Sequence, residues 1–199
     1  MRIFLFFIIL NSSFLFSDIG HGIIEQYKNN IFISTGFSNG LNTVKAINAN
    51  FGEVICIEQD KIIQEHANYV ISAYFIRGFP QSLQSHKIIH GESTKILSSI
   101  INLINQPITL LLCSHLPEPD HPEKVNSILD ELEIIKNHQI KQHIFLIDYI
   151  NWAGTVWFSN VTLKSITDKI LSINPNYKFR FEKGGLLERQ ENAILIAYL

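Results

Sequence analysis

The sequence predicts an α/β protein with a doubly wound, mostly parallel sheet of seven strands and a C-terminal antiparallel hairpin. Two observations lead to this fold class. Five apolar, strand-like segments between residues 31 and 148 alternate with segments whose apolar residues recur at helical spacing. Two further strand-like segments, "YKFRF" and "AILIAYL", then follow one another across a turn that contains two glycines, so the last strand is expected to run antiparallel to the others.

Each parallel strand is expected to be apolar and to end where a polar or glycine-containing segment begins. The predicted strands are Ile31–Thr35, Glu53–Glu58, "HKIIHGES" with its exit at Gly91, "PITLLLC" and "HIFLID". The predicted helices are Leu41–Ala49, Asp60 to about Phe75, Ser93 or Thr94 to Ile104, Glu123–Asn137 and Thr162–Ile173. "SHLPEPDHPEK" contains three prolines and is expected to be a loop, as is the aromatic stretch Asn151–Asn160.

The composition indicates one ordinary globular domain, at residues 18–199, with enough apolar material for a complete core. Of the 199 residues 46% are hydrophobic and 17% are charged, and the formal net charge is −2. The basic residues are scattered along the chain. There is therefore no electrostatic reason to expect a nucleic acid or an anionic membrane as a partner.

Residues 1–17, "MRIFLFFIILNSSFLFS", are expected to lie outside this domain and to act as a secretory signal peptide. Arg2 precedes an almost unbroken apolar run, which is too short to span a bilayer comfortably. The mature chain is then expected to begin near Asp18, to be periplasmic or secreted, and to have no stable association with a membrane. The alternative is an uncleaved N-terminal membrane anchor.

The two cysteines, Cys56 and Cys113, are expected to be buried free thiols. In an exported protein two cysteines could form a bridge, but both lie in apolar, strand-like segments. If strands two and four flank strand one, two strand spacings separate them by roughly 9–10 Å. A disulfide needs Cα atoms within about 7 Å, so no bridge is expected.

The candidate functional residues stand at the carboxyl ends of the predicted strands, because open parallel sheets bind ligands there. Glu58 follows Gly36 by 22 residues, the distance at which an acidic residue meets ribose hydroxyls. Each candidate also has a purely structural alternative, such as a tight turn, a solvated strand end or a helix cap. The candidates are Ser34, Thr35, Gly36, Phe37 and Gly40 after strand one, Glu58 after strand two, Gly91, Glu92 and Ser93 after strand three, Cys113 and His115 after strand four, and Asp148 after strand five.

These strand ends together resemble those of class I S-adenosylmethionine-dependent methyltransferases, and more narrowly a little-characterised bacterial and viral group of them. That group shows F-[IV]-E-T-G-x-x-x-G, then E-V-x-x-I-E, G-D-S, W-L-D-G-H and I-L-I-D-D. The corresponding segments here are "FISTGFSNG", "EVICIE", "GES", "LLCSH" and "FLIDY". The resemblance extends over residues 31–199 and implies a Rossmann-like methyltransferase fold with S-adenosylmethionine as cofactor.

Carried over residue by residue, the resemblance implies a role for each candidate. Thr35, Gly36, Phe37 and Gly40 would line the methionine and sulfonium side of the cofactor, and Ser34 and Cys113 are further cofactor-binding candidates. Glu58 would hold the ribose hydroxyls, and the segment Gly91–Ser93 would flank the adenine. His115 and Asp148 are the catalytic candidates.

Three acidic positions of that group are replaced in this chain. The strand-one acid is Ser34, the strand-four Asp-Gly is Cys113-Ser114, and the second acid after strand five is Tyr149. Without these carboxylates no divalent metal site is expected. A serine supplies no charge against the cofactor's ammonium group, so cofactor binding is expected to be weakened about tenfold, and Ser34→Glu is expected to strengthen it.

Two functions remain open from the sequence. The first is a methyltransferase that acts on a small molecule or a carbohydrate. The second is an exported, catalytically degenerate protein that keeps the fold as a binding or effector module. The aromatic residues Tyr149, Trp152, Trp157 and Phe158 are expected either to form one wall of an acceptor pocket or to pack as a loop onto the core.

Overall fold

The computed structural model describes residues 19–37, 40–76, 85–113, 126–184 and 190–199, which form a seven-stranded sheet in the order β3-β2-β1-β4-β5-β7-β6. The first five strands run parallel, and β7 runs antiparallel to both of its neighbours. The predicted fold class is therefore confirmed. The strands are β1 (Ile31–Ser34), β2 (Glu53–Glu58), β3 (Ser85–His90), β4 (Ile108–Leu112), β5 (Ile144–Ile147), β6 (Lys178–Gly184) and β7 (Gln190–Tyr198).

Six α-helices cover the two faces of the sheet among the described residues. They are α1 (His21–Gln26), α2 (Leu41–Asn48), α3 (Lys61–Ile76), α4 (Ser93–Ile101), α5 (Ile128–Asn137) and α6 (Leu163–Ile173). The first three pack their apolar side chains into a cluster on one face, and the last three do so on the other face. Alternate strand residues contribute to the two clusters. In β4, for example, Leu110 joins one cluster and Leu111 the other, because successive side chains point to opposite faces.

The central strands are covered on both faces, but β3 is not. All residues of β1 and β4 are buried, as the apolar pattern of these strands predicts. Every residue of β3 is exposed or half-exposed, so the expectation of a strand covered on both faces is wrong for this segment. The physical reason is its position at the edge of the sheet, where its polar residues face solvent.

Local hydrogen bonds fix several helix boundaries. Asp60 caps α3, because its Oδ1 accepts from the backbone N–H groups of Ile62 at 2.7 Å and Ile63 at 3.1 Å. Helix α5 begins at Ile128 rather than at Glu123. The side chain of Asn126 accepts from the N–H of Ile128 at 3.0 Å, which fixes a turn immediately before the helix.

Strand β1 lies between β2 and β4, as the argument against a disulfide requires. Both Cys56 and Cys113 are free thiols. Burial raises the pKa of the Cys56 thiol far above its usual range, and the nearby Glu58 carboxylate acts in the same direction. Cys56 is therefore an inert core residue at neutral pH.

A buried histidine pair lies at the amino edge of the sheet, where α5 leads into β5. The N–H of Ile108 donates to His143 Nδ1 at 3.2 Å, so that nitrogen carries no proton. His143 Nε2 then donates to His138 Nδ1 at 3.0 Å, and His138 Nε2 donates to the carbonyl of Ile104 at 3.0 Å. Burial lowers the pKa of His143 to about 4, with His138 acting in the same direction.

One expectation concerns a segment that the structure does not describe. The proposed signal peptide, residues 1–17, lies outside the described residues. Among the helices that are described, none has the length and the apolar composition needed to cross a bilayer.

Candidate active site

The carboxyl ends of β1, β2, β4 and β5 lie at one edge of the sheet and bring most of the predicted residues together. Ser34 stands opposite Cys56 on one side and Leu111 on the other. The strand ends are therefore level, and the segments that leave them share one edge. His115 follows β4 but lies outside the described residues, so its catalytic role stays a prediction.

The segment after β1 is a tight glycine turn that leads into α2. Gly40 has a φ of 80°, in the left-handed region that favours glycine, and its N–H donates to the carbonyl of Phe37 at 2.9 Å. A Cβ at Gly40 would lie 2.3 Å from Cζ of Phe37, whose ring is buried against this glycine. The turn thus depends on glycine for both its backbone angle and its contact with the Phe37 ring.

Glu58 joins the end of β2 to this glycine turn. Its Oε2 accepts from the N–H of Phe37 at 2.9 Å, and its Oε1 accepts from the N–H of Asp60 at 2.8 Å. The side chain is buried, with 8% of its surface exposed. A carboxylate has about four lone-pair sites, so each oxygen keeps the capacity to accept one more hydrogen bond.

Ser34 replaces the strand-one acid, and its hydroxyl is used inside the turn. The Ser34 hydroxyl donates to the carbonyl of Gly36 at 2.6 Å, and the Cys113 thiol donates to the same carbonyl at 3.3 Å. The two side chains also touch, with 3.5 Å between Ser34 Oγ and Cys113 Sγ. Burial raises the pKa of the Cys113 thiol well above its usual range, and the carboxylates of Asp148 and Glu131 add to the effect.

Because of this packing, Ser34→Glu is also expected to lower the stability of the protein. A glutamate would place a carboxylate against the Gly36 carbonyl and the Cys113 thiol, at a position that is only 1% exposed. We expect the single variant to lose roughly 1–3 kcal/mol of unfolding free energy in urea titrations. The double variant Ser34→Glu/Cys113→Gly removes the thiol and is expected to regain part of that loss. A single variant as stable as the wild type would contradict this account.

The segment after β3 supplies a buried hydroxyl and an exposed carboxylate. Gly91 has a φ of 151°, and its N–H donates to the carbonyl of Glu58 at 2.9 Å, which joins the segment to β2. Glu92 is exposed and forms an ion pair with Lys95 at 2.6 Å, and hydrogen bonds from Lys95 and Thr94 lower its pKa. Ser93, by contrast, is buried.

A carboxylate that the sequence analysis missed, Glu131, lies beneath this edge. It belongs to α5 and has no exposed surface. Its oxygens accept from the hydroxyls of Thr35 at 3.3 Å, Ser127 at 3.2 Å and Ser93. Two predicted cofactor-binding residues, Thr35 and Ser93, therefore direct their side chains at Glu131.

The two residues after β5 are both buried. The carboxylate of Asp148 accepts from the N–H of Tyr149 at 2.8 Å. Tyr149 has a φ of 57°, which is uncommon for a side chain of this size and costs on the order of 1 kcal/mol. Burial raises the pKa of the Tyr149 hydroxyl, with Asp148 and Cys113 acting in the same direction. Tyr149 thus stays neutral and packs in the core.

The aromatic loop after Tyr149 is partly core and partly surface. Phe158 is fully buried, whereas Val156 and Trp157 are exposed. The ring of Trp152 meets the ring of Trp157 edge to face, with 6.1 Å between centroids. The N–H of Asn126 donates to the hydroxyl of Ser159 at 3.0 Å, which ties the loop to the start of α5.

No arrangement of three or more His, Cys, Asp or Glu side chains suited to a metal ion occurs in the described part of the chain. A cavity of about 620 Å³ does occur, but at the opposite, amino edge of the sheet. Its lining includes Tyr27, His143, Arg180 and Tyr198. The predicted site lies at the carboxyl edge, where its residues are held by the hydrogen bonds described above.

The fold is similar to that of solved methyltransferases, several of them in complex with S-adenosylmethionine or its demethylated product. An O-methyltransferase from Bacillus cereus, solved in complex with SAH, superposes with a TM-score of 0.64 at 9% identity over 90% of this chain and 78% of that chain. The O-methyltransferase TomG from Streptomyces achromogenes, involved in tomaymycin synthesis and solved with SAM, gives 0.59 at 10% identity over 90% and 77%.

A methyltransferase from Geobacter sulfurreducens gives a TM-score of 0.56 at 14% identity, over 89% of this chain and 74% of that chain. No family model matches the chain, and no curated protein does. The resemblance drawn from the strand ends is thus confirmed at the level of the fold.

Proposed function

We propose that this protein is an S-adenosylmethionine-dependent methyltransferase that acts on a small molecule. The observation that carries the proposal is the position of Glu58. Its buried carboxylate stands at the end of β2, is oriented by the N–H of Phe37 from the glycine turn, and lies beside the switch point of the sheet.

The chemistry of the residues at this edge fits the cofactor. The two oxygens of Glu58, oriented by backbone N–H groups, suit the two hydroxyls of a ribose, each of which can donate one hydrogen bond. Gly36 and Gly40 let the turn pack closely against Cys113 and Phe37 beside the Glu58 carboxylate. Gly91 and Glu92 would border the adenine, next to the start of α4.

The bound cofactor would supply an electrophilic methyl group, and the chain would bind and orient the acceptor and take its proton. Asp148 and His115 are the candidate residues for accepting that proton. Asp148 stands at the end of β5 in the same edge as Glu58, and its carboxylate is oriented by the N–H of Tyr149. His115 stands three residues beyond β4.

The acceptor in this proposal is a planar or sugar-like small molecule. The structural neighbours named above are O-methyltransferases in two cases, which favours a hydroxyl acceptor. The exposed Trp157 and its partner Trp152 follow β5 and offer aromatic faces on which a flat ring or a carbohydrate ring can stack.

We include export of the protein in the same proposal, because residues 1–17 have the sequence pattern of a signal peptide. N-terminal sequencing of the protein recovered from a bacterial host distinguishes a chain that begins near Asp18 from a membrane-bound chain that begins at Met1.

A degenerate methyltransferase fold that serves as an exported binding or effector module is the second candidate. One observation favours it. The three acidic positions of the related group are occupied by Ser34, Cys113 and Tyr149, and their side chains pack against the turn or the core instead of presenting charge.

Calorimetric titration of the purified protein with S-adenosylmethionine and S-adenosylhomocysteine separates the two candidates. We expect dissociation constants on the order of 10–100 μM, equivalent to roughly 5.5–7 kcal/mol. Glu58 and the glycine turn provide that affinity, and the missing strand-one charge limits it. An absence of binding heat at millimolar ligand would reject the methyltransferase and leave the binding module.

A further inference from the structure

We propose that Glu131 is a positioning residue for the cofactor site, which acts by holding the exit of β1 and the start of α4 at a fixed separation. This inference rests on the proposed function. Glu131 itself has no exposed surface, so it acts through the residues that it binds and does not touch the cofactor.

The position of Glu131 on α5 calls for a functional reason. The buried residues of this helix are Ile128, Glu131, Leu132 and Ile135, which form one apolar stripe at the usual spacing. An apolar residue would continue that stripe without the cost of burying a carboxylate. A buried carboxylate costs several kcal/mol unless hydrogen bonds compensate for the lost solvation.

The compensation comes from three different segments of the chain. Thr35, immediately after β1, donates to Oε2 at 3.3 Å. Ser93, the first residue of α4, and Ser127, just before α5, both donate to Oε1, the latter at 3.2 Å. The contacts of Thr35 and Ser93 span 96 and 38 residues along the sequence, so one carboxylate joins segments that are remote in the chain.

The same two segments carry the backbone that the proposed cofactor needs. Thr35 directly precedes the glycine turn, and its N–H donates to the carbonyl of Leu111 in β4 at 3.0 Å. Ser93 follows Gly91 and Glu92, which lie next to the end of β2. Because Glu58 stands between the two segments, a change in their separation would alter the width of the ribose and adenine site.

The charge of Glu131, and not only its shape, is required in this arrangement. Three hydroxyl donors converge on the two oxygens, and charge-assisted hydrogen bonds are about twice as strong as neutral ones. A glutamine has one acceptor oxygen, and its NH₂ group would face a hydroxyl that now donates. Glu131 also lies in the first turn of α5, where the helix dipole favours a negative charge.

The test compares Glu131→Gln with Glu133→Gln in the full-length protein. Glu133 lies on the same helix but is exposed, and it pairs with Lys169 at 2.6 Å. Titration with S-adenosylmethionine, well below the unfolding temperature of each variant, is expected to give about a tenfold weaker dissociation constant for Glu131→Gln. The control variant is expected to bind like the wild type.

A double-mutant cycle shows whether Ser93 acts through Glu131. Ser93→Ala is expected to weaken cofactor binding in the wild-type background and to have little further effect in the Glu131→Gln background. A residue with a purely structural role would lower the unfolding temperature and leave the dissociation constant of the folded protein unchanged. If Glu131→Gln does not fold, Thr35→Val and Ser93→Ala each remove one contact and are still expected to weaken binding.

The outcomes separate this inference from the proposed function. Wild-type protein that binds neither S-adenosylmethionine nor S-adenosylhomocysteine would overturn the proposed function and this inference together. Wild-type binding with an unchanged dissociation constant in Glu131→Gln, or in both hydroxyl variants when that protein does not fold, would overturn only the role of Glu131.

Discussion

Glu58→Ala is expected to weaken S-adenosylmethionine binding about a hundredfold, because it removes the charged acceptor of both ribose hydroxyls. Two charge-assisted hydrogen bonds, reduced by the cost of ordering the ligand, contribute roughly 3 kcal/mol. The variant also removes the acceptor of the N–H groups of Phe37 and Asp60, so the glycine turn loses its connection to β2. Calorimetric titration of the variant and the wild type measures both the dissociation constant and the binding enthalpy.

Glu53→Ala is the matched control for this variant. Glu53 is the first residue of the same strand, at the opposite edge of the sheet, and it forms a half-exposed ion pair with Lys87 at 2.7 Å. It is expected to bind the cofactor like the wild type. Equal affinity of Glu58→Ala and Glu53→Ala would place the ligand somewhere other than the carboxyl edge.

Acidification from pH 6.5 to pH 4 is expected to cost the protein roughly 3 kcal/mol of unfolding free energy through His143 alone. The pKa of His143 is lowered to about 4 in the folded protein, whereas an unfolded histidine titrates near 6.5. Between these values the unfolded chain binds a proton that the folded chain does not. The stability associated with neutral His143 is therefore complete above pH 6.5 and decreases as the pH falls towards 4.

Urea unfolding at a series of pH values tests this expectation. Carboxylates also contribute to acid unfolding, so the informative quantity is the difference between the wild type and His143→Asn, which can still accept the hydrogen bond from Ile108. The unfolding free energy of His143→Asn is expected to vary less steeply with pH than that of the wild type. The two slopes are expected to differ by up to about 1.4 kcal/mol per pH unit. Parallel curves for wild type and His143→Asn would contradict the prediction.

The sequence predicts the elements and the edge at which they end, because both depend on local patterns. Apolar runs and helical spacing identify strands and helices, and parallel strands bring their carboxyl ends together. The glycine turn and Glu58 were found for this reason. Pairings between distant residues have no such pattern. The contact between Ser34 and Cys113 spans 79 residues, and it adds an expected loss of stability to Ser34→Glu, whose effect on cofactor binding stays a prediction.

The burial of Glu131 was not predicted from the local sequence pattern. A glutamate in a helix is ordinarily assigned to the solvent side. The structure places Glu131 in the buried stripe and leaves Leu129 only partly buried. The sequence does contain a signal for this burial. Ile128, Leu132 and Ile135 lie on one face of the helix, and residue 131 lies on the same face. The hydroxyls that make this burial possible come from other elements and could not be predicted locally.

The position of β7 determines when the sheet can be completed during synthesis. The ribosome produces β6 before β7, yet β7 lies between β5 and β6 in the finished sheet. A nascent chain that has not reached Gln190 therefore exposes the unpaired edge of β5, whose residues Phe145, Leu146 and Ile147 are fully buried in the native protein. Such an edge pairs readily with other chains. Chains released before β7 has emerged would thus be prone to aggregate and would be substrates for chaperones that bind apolar strands.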